Sequence, residues 1–127
     1  FTLDSEEYNY GITINKTIKK VSGDLYEVAI DVHNGPFVNG IAKYEAKLPL
    51  SADFVKEVSR DQTVNFKVDQ RKIKVIWIYL RNNNKYSTVF QLKSKRSIHK
   101  LKMFGEFYGH QEGRQFILKD TSSFIVQ

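Results

Sequence analysis

The stretch Tyr26-Glu27-Val28-Ala29-Ile30-Asp31-Val32 decides the fold class. Tyr26, Val28, Ile30 and Val32 fall on every second position, with Glu27, Ala29 and Asp31 between them. Successive side chains of an extended chain point to opposite faces, so this segment is a β-strand with one buried and one wetter face. Asn34-Gly35-Pro36 then supplies a turn, because Asn and Gly tolerate positive φ and Pro cannot donate to a ladder.

The same alternation extends outward. Ala42, Tyr44, Ala46 and Leu48 alternate with Lys43, Glu45 and Lys47 until Pro49 ends the ladder. Val64, Phe66 and Val68 repeat the pattern, and residues 69–72 read as a hairpin connection. Residues 73–80 are apolar on both faces, which predicts a central strand covered on both sides. A polar tip at residues 81–85 leads into Tyr86, Thr88, Phe90 and Leu92. Ile12, Ile14 and Ile18 suggest a first strand that is irregular near Lys16 and Thr17.

Residues 54–58 read as a strand or a crossing between sheets, and Ser51 to Phe54 offer the start of a short helical turn. The apolar phase slips between Ile98 and Leu101, predicting a bulge. Residues 109–113 read as a turn, and residues 116–118 and 123–126 as short closing strands. About eight to ten short strands with frequent turns point to a sandwich or a barrel.

At 127 residues the chain is long enough for one self-sufficient core and too short for two ordinary domains. We therefore expect a single domain over residues 1–127, as one module of a longer protein. Its 41% hydrophobic content argues against disorder. The absence of cysteine excludes disulfides, thiolate zinc sites and cysteine nucleophiles. No apolar run approaches the roughly 20 residues that cross a bilayer, so membrane insertion is not expected. The chain starts at Phe1, as expected of a processed or excised chain. The formal charge of +6 suits an acidic partner or a solvated lysine-rich surface.

The stretch Gly40-Ile41-Ala42-Lys43-Tyr44-Glu45-Ala46-Lys47-Leu48-Pro49-Leu50 resembles β-sandwich modules of Bacteroidetes envelope and surface proteins, in which a strand runs into a Leu-Pro corner. The later Ile73-Lys74-Val75-Ile76-Trp77 resembles the second strand of the hairpin that follows in those modules. Gly105-Glu106-Phe107-Tyr108 with a closing apolar strand is similar to the end of cohesin-like and carbohydrate-binding-module-like sandwiches. The resemblance implies an all-β, antiparallel, cohesin-like β-sandwich of about nine strands, placed outside the cytoplasm in the periplasm, on the cell surface or secreted. Cohesins bind protein modules, whereas the related carbohydrate modules use aromatic platforms. Some of the latter hold calcium, but no close Asp and Asn cluster suggests such a site here, and no metal or cofactor is expected.

The chemistry-bearing residues are sparse. His33, His99 and His110 lack partners at metal-ligand spacing. Glu6-Glu7, Glu45, Glu57, Glu106 and Glu112 are scattered carboxylates whose separation no sequence can state. Asn15-Lys16-Thr17 fits the glycosylation acceptor pattern, a match common by chance. No catalytic residue emerges.

Two constellations remain as binding candidates. The aromatic one comprises Tyr44, Trp77, Tyr79, Tyr86 and Tyr108, with Tyr8 and Tyr10 near the start; Trp77, Tyr79 and Tyr86 are its ligand candidates, which would stack on sugar rings if exposed and plug the core if buried. The basic one comprises Lys93, Lys95, Arg96, Lys100 and Lys102, which straddle one turn. It reads either as an anion- or partner-binding hairpin or as a sheet edge kept from pairing by lysines. Few aromatics interleave with it, so nucleic acid is not the expected partner. The leading functional expectation is a non-catalytic module binding a protein or neighbouring domain. A carbohydrate-binding module is the alternative, and a glycosidase-type hydrolase the third reading.

Overall fold

In the computed structural model, which describes residues 10–97 and 101–127, two five-stranded sheets pack face to face. The strands are β1 (Ile12–Ser22), β2 (Leu25–Asn34), β3 (Gly40–Lys47), β4 (Ala52–Arg60) and β5 (Val64–Asp69). They continue with β6 (Lys72–Leu80), β7 (Asn84–Ser94), β8 (Gly105–Gln111), β9 (Arg114–Asp120) and the two-residue β10 (Ile125–Val126). One sheet runs β10-β1-β2-β7-β4 and the other β5-β6-β3-β8-β9. Every pair is antiparallel except β1 with β10. The chain is an all-β, predominantly antiparallel β-sandwich, one of the two architectures, sandwich or barrel, that its alternation left open.

Two hairpins follow from backbone chemistry. Gln70 and Arg71 join β5 to β6 with φ of 48° and 68°, and Glu112 and Gly113 join β8 to β9 with φ of 52° and 78°. Two consecutive left-handed residues make the turn whose twist matches that of paired strands. Arg71 is held there by its own side chain, which donates to the carbonyls of Pro49 and Ala52 and pairs with Asp53 at 3.1 Å. That contact ties the hairpin of one sheet to the start of β4 in the other.

The inward positions fill the space between the sheets. Tyr26, Val28, Ile30 and Val32 of β2 and Ala42, Tyr44 and Ala46 of β3 are all buried. Trp77 of β6 lies edge-on to Tyr86 of β7 at 5.6 Å and tilts against Phe107 of β8 at 5.9 Å, so one indole bridges the sheets. Phe54, Phe66 and Phe90 form a second aromatic nucleus with centroids 5.8 to 6.1 Å apart. Gly105 serves close packing: a Cβ there would sit 2.5 Å from the Tyr44 hydroxyl and 2.8 Å from the Glu45 carbonyl.

Several local expectations are corrected. Residues 50–60 contain no helical turn: β4 is a strand with two register shifts, and it pairs with β7. β1 runs unbroken through Lys16 and Thr17 because Lys16 takes the inward position between Ile14 and Ile18. β6 is covered on one face only, since Ile78 and Tyr79 stand 71% and 58% exposed. Ala42 pairs with Trp77 and Gly40 with Leu80, so Ile78 and Tyr79 together oppose Ile41, a bulge that brings two successive residues outward. His110 lies in β8, not in a turn, with Nδ1 3.2 Å from the Ile41 carbonyl. β7 is an interior strand between β2 and β4, so its lysines guard no edge. The bulge expected between Ile98 and Leu101 falls largely outside the described residues.

Truncating the bridging indole removes contacts to both sheets. Trp77→Ala is expected to destabilise the domain by about 3–5 kcal/mol, read as a fall in the urea midpoint at unchanged slope.

Candidate functional site

Three polar-tipped side chains meet inside the sandwich. Lys16 projects inward from β1, Tyr44 from β3 and Asp120 from the end of β9, so the group joins both sheets. Lys16 is 1% exposed and Asp120 7%, and Tyr44 is fully buried. The Lys16 Nζ lies 3.2 Å from Asp120 Oδ2 and also donates to the Met103 carbonyl. The Tyr44 hydroxyl donates to the same Oδ2 at 2.5 Å. Asp120 Oδ1 accepts from the Ser122 amide at 3.1 Å and the Ser122 hydroxyl at 2.5 Å. The rings of Phe104 and Phe124 stand 5.9 and 5.6 Å from the ammonium and complete its surroundings.

Burial shifts these groups. Desolvation pushes the Lys16 amine below the usual lysine range, against the opposing pull of the Asp120 charge and hydrogen bond. Burial pushes the Tyr44 phenol far above its usual range, and the hydrogen bond to Asp120 adds to the rise. A buried charge pair is stable only when its remaining hydrogen-bonding capacity is met, and here Met103, Tyr44 and Ser122 meet it.

The sequence reading missed this cluster although a signal was present. Lys16, Tyr44 and Asp120 each stand in the inward phase of an alternating strand, next to Ile14 and Ile18, Ala42 and Ala46, and Leu118. A lysine or aspartate in core phase requires a partner.

The aromatic platform of the alternative, carbohydrate-binding reading does not assemble. Trp77 is 1% and Tyr86 6% exposed, each packed in the core, and Tyr86 spends its hydroxyl accepting from the Arg81 amide at 2.9 Å. Tyr79 is exposed, with Ile78 beside it and Ile41 opposite at the β6 bulge. On the same outer face, Ile76, Lys43, Tyr108 and Ile117 pair in one row across β6, β3, β8 and β9. Ile41, Ile78, Tyr79 and the 52%-exposed Ile117 form its apolar part, with the Lys43 ammonium over the Tyr108 ring at 4.5 Å.

The basic candidates are only partly united. Lys93 is exposed on the outer face of the β1-containing sheet, opposite Asp53. Arg96 and Lys102 share a shallow depression with Pro49, Leu50 and Ser51, whereas Lys95 and Arg96 border another with Lys20 and Asp24. Lys100 lies outside the described residues, as do His99 and the Glu6-Glu7 pair.

Two carboxylates do come together. Glu45 and Glu106 are register partners lining an open depression of about 300 Å³. A hydrogen bond from Lys43 holds the Glu45 carboxyl below the usual range, with Lys72 acting in the same direction. That is the wrong direction for a general acid. Among the described residues, no group of three His, Cys, Asp or Glu is placed to hold a metal, and no helix is long and apolar enough to cross a membrane.

Asp120→Ala leaves the Lys16 charge buried without its counter-ion and is expected to cost about 3–5 kcal/mol in urea unfolding. The paired replacement Lys16→Met with Asp120→Leu is expected to recover most of that loss. Tyr44 also sets an alkaline limit. Its folded pKa lies above the unfolded value of 10.0, so its contribution is complete below that pH and is lost as pH rises further. The fall in urea midpoint between about pH 9 and about pH 11 is therefore expected to be smaller in Tyr44→Phe than in the parent.

No family model matches the chain, and no curated protein matches it in sequence. Among solved structures, it is similar to the major pilin SpaD of Corynebacterium diphtheriae, with 16% identity, a TM-score of 0.66, and 85% of this chain and 34% of that one covered. The major pilin subunit BcpA of Bacillus cereus gives 11% identity and a TM-score of 0.68 over 91% of this chain and 40% of the pilin. The collagen-binding domain of a Staphylococcus aureus adhesin gives 9% identity and 0.58 over 86% and 97%. This chain thus spans about a third to two-fifths of the two pilins but nearly all of the adhesin domain. At these identities the likeness is one of fold: a β-sandwich of the kind found in pilins and adhesins.

Proposed function

We propose that this chain is a non-catalytic interaction module of a bacterial envelope or secreted protein, which holds a protein partner or neighbouring domain on the outer face of the β6-β3-β8 sheet. The observation that carries the reading is the apolar group of Ile41, Ile78 and Tyr79, forced outward by the β6 bulge and continued by Ile117 on the same face. Exposed clusters of this kind serve docking more often than solubility. Lys43, on the same face and paired with Glu45 at 2.8 Å, gives the patch a polar border, and the net charge of +6 favours an acidic partner. The fold neighbours support the reading, since they include pilin subunits and a collagen-binding adhesin domain. The cohesin-like kinship implied by residues 40–50 belongs to the same proposal.

Carbohydrate recognition finds one exposed ring among its three candidates, Tyr79, set among isoleucines instead of a second ring. A hydrolase would need a carboxyl kept protonated in a cleft, whereas Glu45 is drawn to its ionised form in an open depression.

The test is quantitative binding of the module to proteins extracted from the envelope of its source organism, with Ile78→Asp and Tyr79→Ala compared against Lys93→Ala and Lys95→Ala on the other side of the sandwich. The expected result is a saturable protein complex weakened at least about tenfold by Ile78→Asp, or by about 1.4 kcal/mol, and little changed by the lysine variants. Binding unaffected by Ile78→Asp would remove this face from consideration. Retention by polysaccharide that depends on Tyr79 alone would favour the carbohydrate reading.

A further inference from the structure

Unpaired positive charge gathers at one end of the sandwich. Strands β1 and β7 finish there and β2 and β4 begin there, since Ser22 pairs with Leu25, Leu25 with Lys93, and Ala52 with Ser94. Residues 48–51 join β3 to β4, so Lys47 lies at the same end. Lys20, Lys47, Lys93, Lys95, Arg96 and Lys102 are all exposed in this region. Among the described residues none of the six belongs to an ion pair. Nearby acids offset little of this charge: Arg71 holds Asp53, Lys74 holds Asp69, and Asp24 is left beside Lys20, Lys95 and Arg96. The opposite end is nearly balanced, with Arg81, Lys85 and Arg114 against Asp61 and Glu112.

We propose that the charged end adsorbs to the headgroup surface of an anionic lipid bilayer, with Leu50 entering the interface and Arg96 and Lys102 holding phosphate groups beside it. The contact is peripheral. It uses neither Ile78 nor Tyr79, so it stands or falls separately from the docking function.

The apolar tip is the observation that selects a bilayer. Leu50 is 87% exposed in a turn closed by the Ala52 amide, which donates to the Pro49 carbonyl at 3.0 Å. The Arg71 side chain donates to the carbonyls of Pro49 and Ala52 and so fixes the turn with Leu50 outward. A lone exposed leucine is ordinary. This one shares its depression with Arg96 and Lys102, and Val21 and Phe104 stand 46% and 49% exposed towards the same end of the strands. Apolar side chains beside cations suit the boundary between acyl chains and phosphates.

Arg96 is placed to hold headgroups. Its carbonyl accepts from the Tyr26 hydroxyl at 3.3 Å and its amide donates to Ser94 Oγ at 3.1 Å, which anchors the backbone and leaves the guanidinium free. The residue borders both the Leu50 depression and the neighbouring one that contains Lys20 and Lys95. One guanidinium can therefore reach phosphates seated in either, with the paired donors that suit them. A soluble polyanion would gain from these cations but nothing from Leu50. An acidic protein would need a surface matched to the end of a sandwich, whereas a fluid headgroup layer moulds to it.

The experiment is co-sedimentation of the chain with vesicles of phosphatidylglycerol and phosphatidylcholine, against vesicles of phosphatidylcholine alone. Binding is expected only to the anionic vesicles, with loss at about 1 M salt, where the screening length falls to about 3 Å. Each cation near such a surface strengthens adsorption about fivefold, so Arg96→Gln and Lys102→Gln are each expected to weaken it by about that factor. Leu50→Ser is expected to weaken it at least about threefold. Lys85→Gln removes the same charge from the opposite end and is expected to change little, with the folding of every variant checked by circular dichroism. Absence of binding to anionic vesicles at low salt overturns the proposal. A loss in Lys85→Gln equal to that in Arg96→Gln overturns the assignment to this end. Binding that is indifferent to Leu50→Ser and fully displaced by inorganic polyphosphate makes the ligand a soluble polyanion and overturns the lipid surface.

Discussion

The interior of this sandwich is organised around one constraint: a lysine ammonium and an aspartate carboxylate lie where no water satisfies them. Charges in that position are tolerated only when they face each other and every remaining donor and acceptor is matched. Lys16 and Asp120 meet this condition with help from the Met103 carbonyl, the Tyr44 hydroxyl and both donors of Ser122. The partners come from β1, from β3 and from the segments flanking β8 and β9, so the cluster cannot be complete until both sheets are docked. Glycine at position 105 belongs to the same requirement, because any side chain there would lift Tyr44 away from Asp120.

Apolar packing carries the rest. In the sequence Trp77 and Tyr86 read either as core plugs or as ligand-binding aromatics; the gap between two sheets is where a large ring buries most area, and both are consumed there. What remains for the surface is set by a single irregularity. Because two residues of β6 oppose one of β3, Ile78 and Tyr79 both reach outward beside Ile41, where regular pairing would have sent one of them inward. The same strand that supplies the central core ring therefore also supplies the exposed apolar group.

Much of this was legible in the order of residues. The alternation in β2 and β3 is reproduced residue by residue in their burial, and the hairpin between β5 and β6 lies where residues 69–72 suggest it. The failures have physical causes. The run at residues 73–80 is apolar at every phase, so periodicity could not say which face was covered, and the bulge decided it. Lys16 looked like a break in β1 because its charge argues against burial, and only its distant partner Asp120 makes the inward position affordable. The lysines near residue 93 suggested an edge, but strand order is not written in local pattern, and β7 is interior.

By itself the sequence determined the class of the protein: strands, turns and, wherever the alternation is clean, an inward face, since these follow from side-chain alternation and local backbone preference. Only the tertiary structure decided which strands are neighbours, which aromatics are spent on the core, and which apolar residues stay outside. It alone brought Lys16, Tyr44 and Asp120 together, because contacts across 76 and more residues depend on how two sheets dock and not on any local pattern.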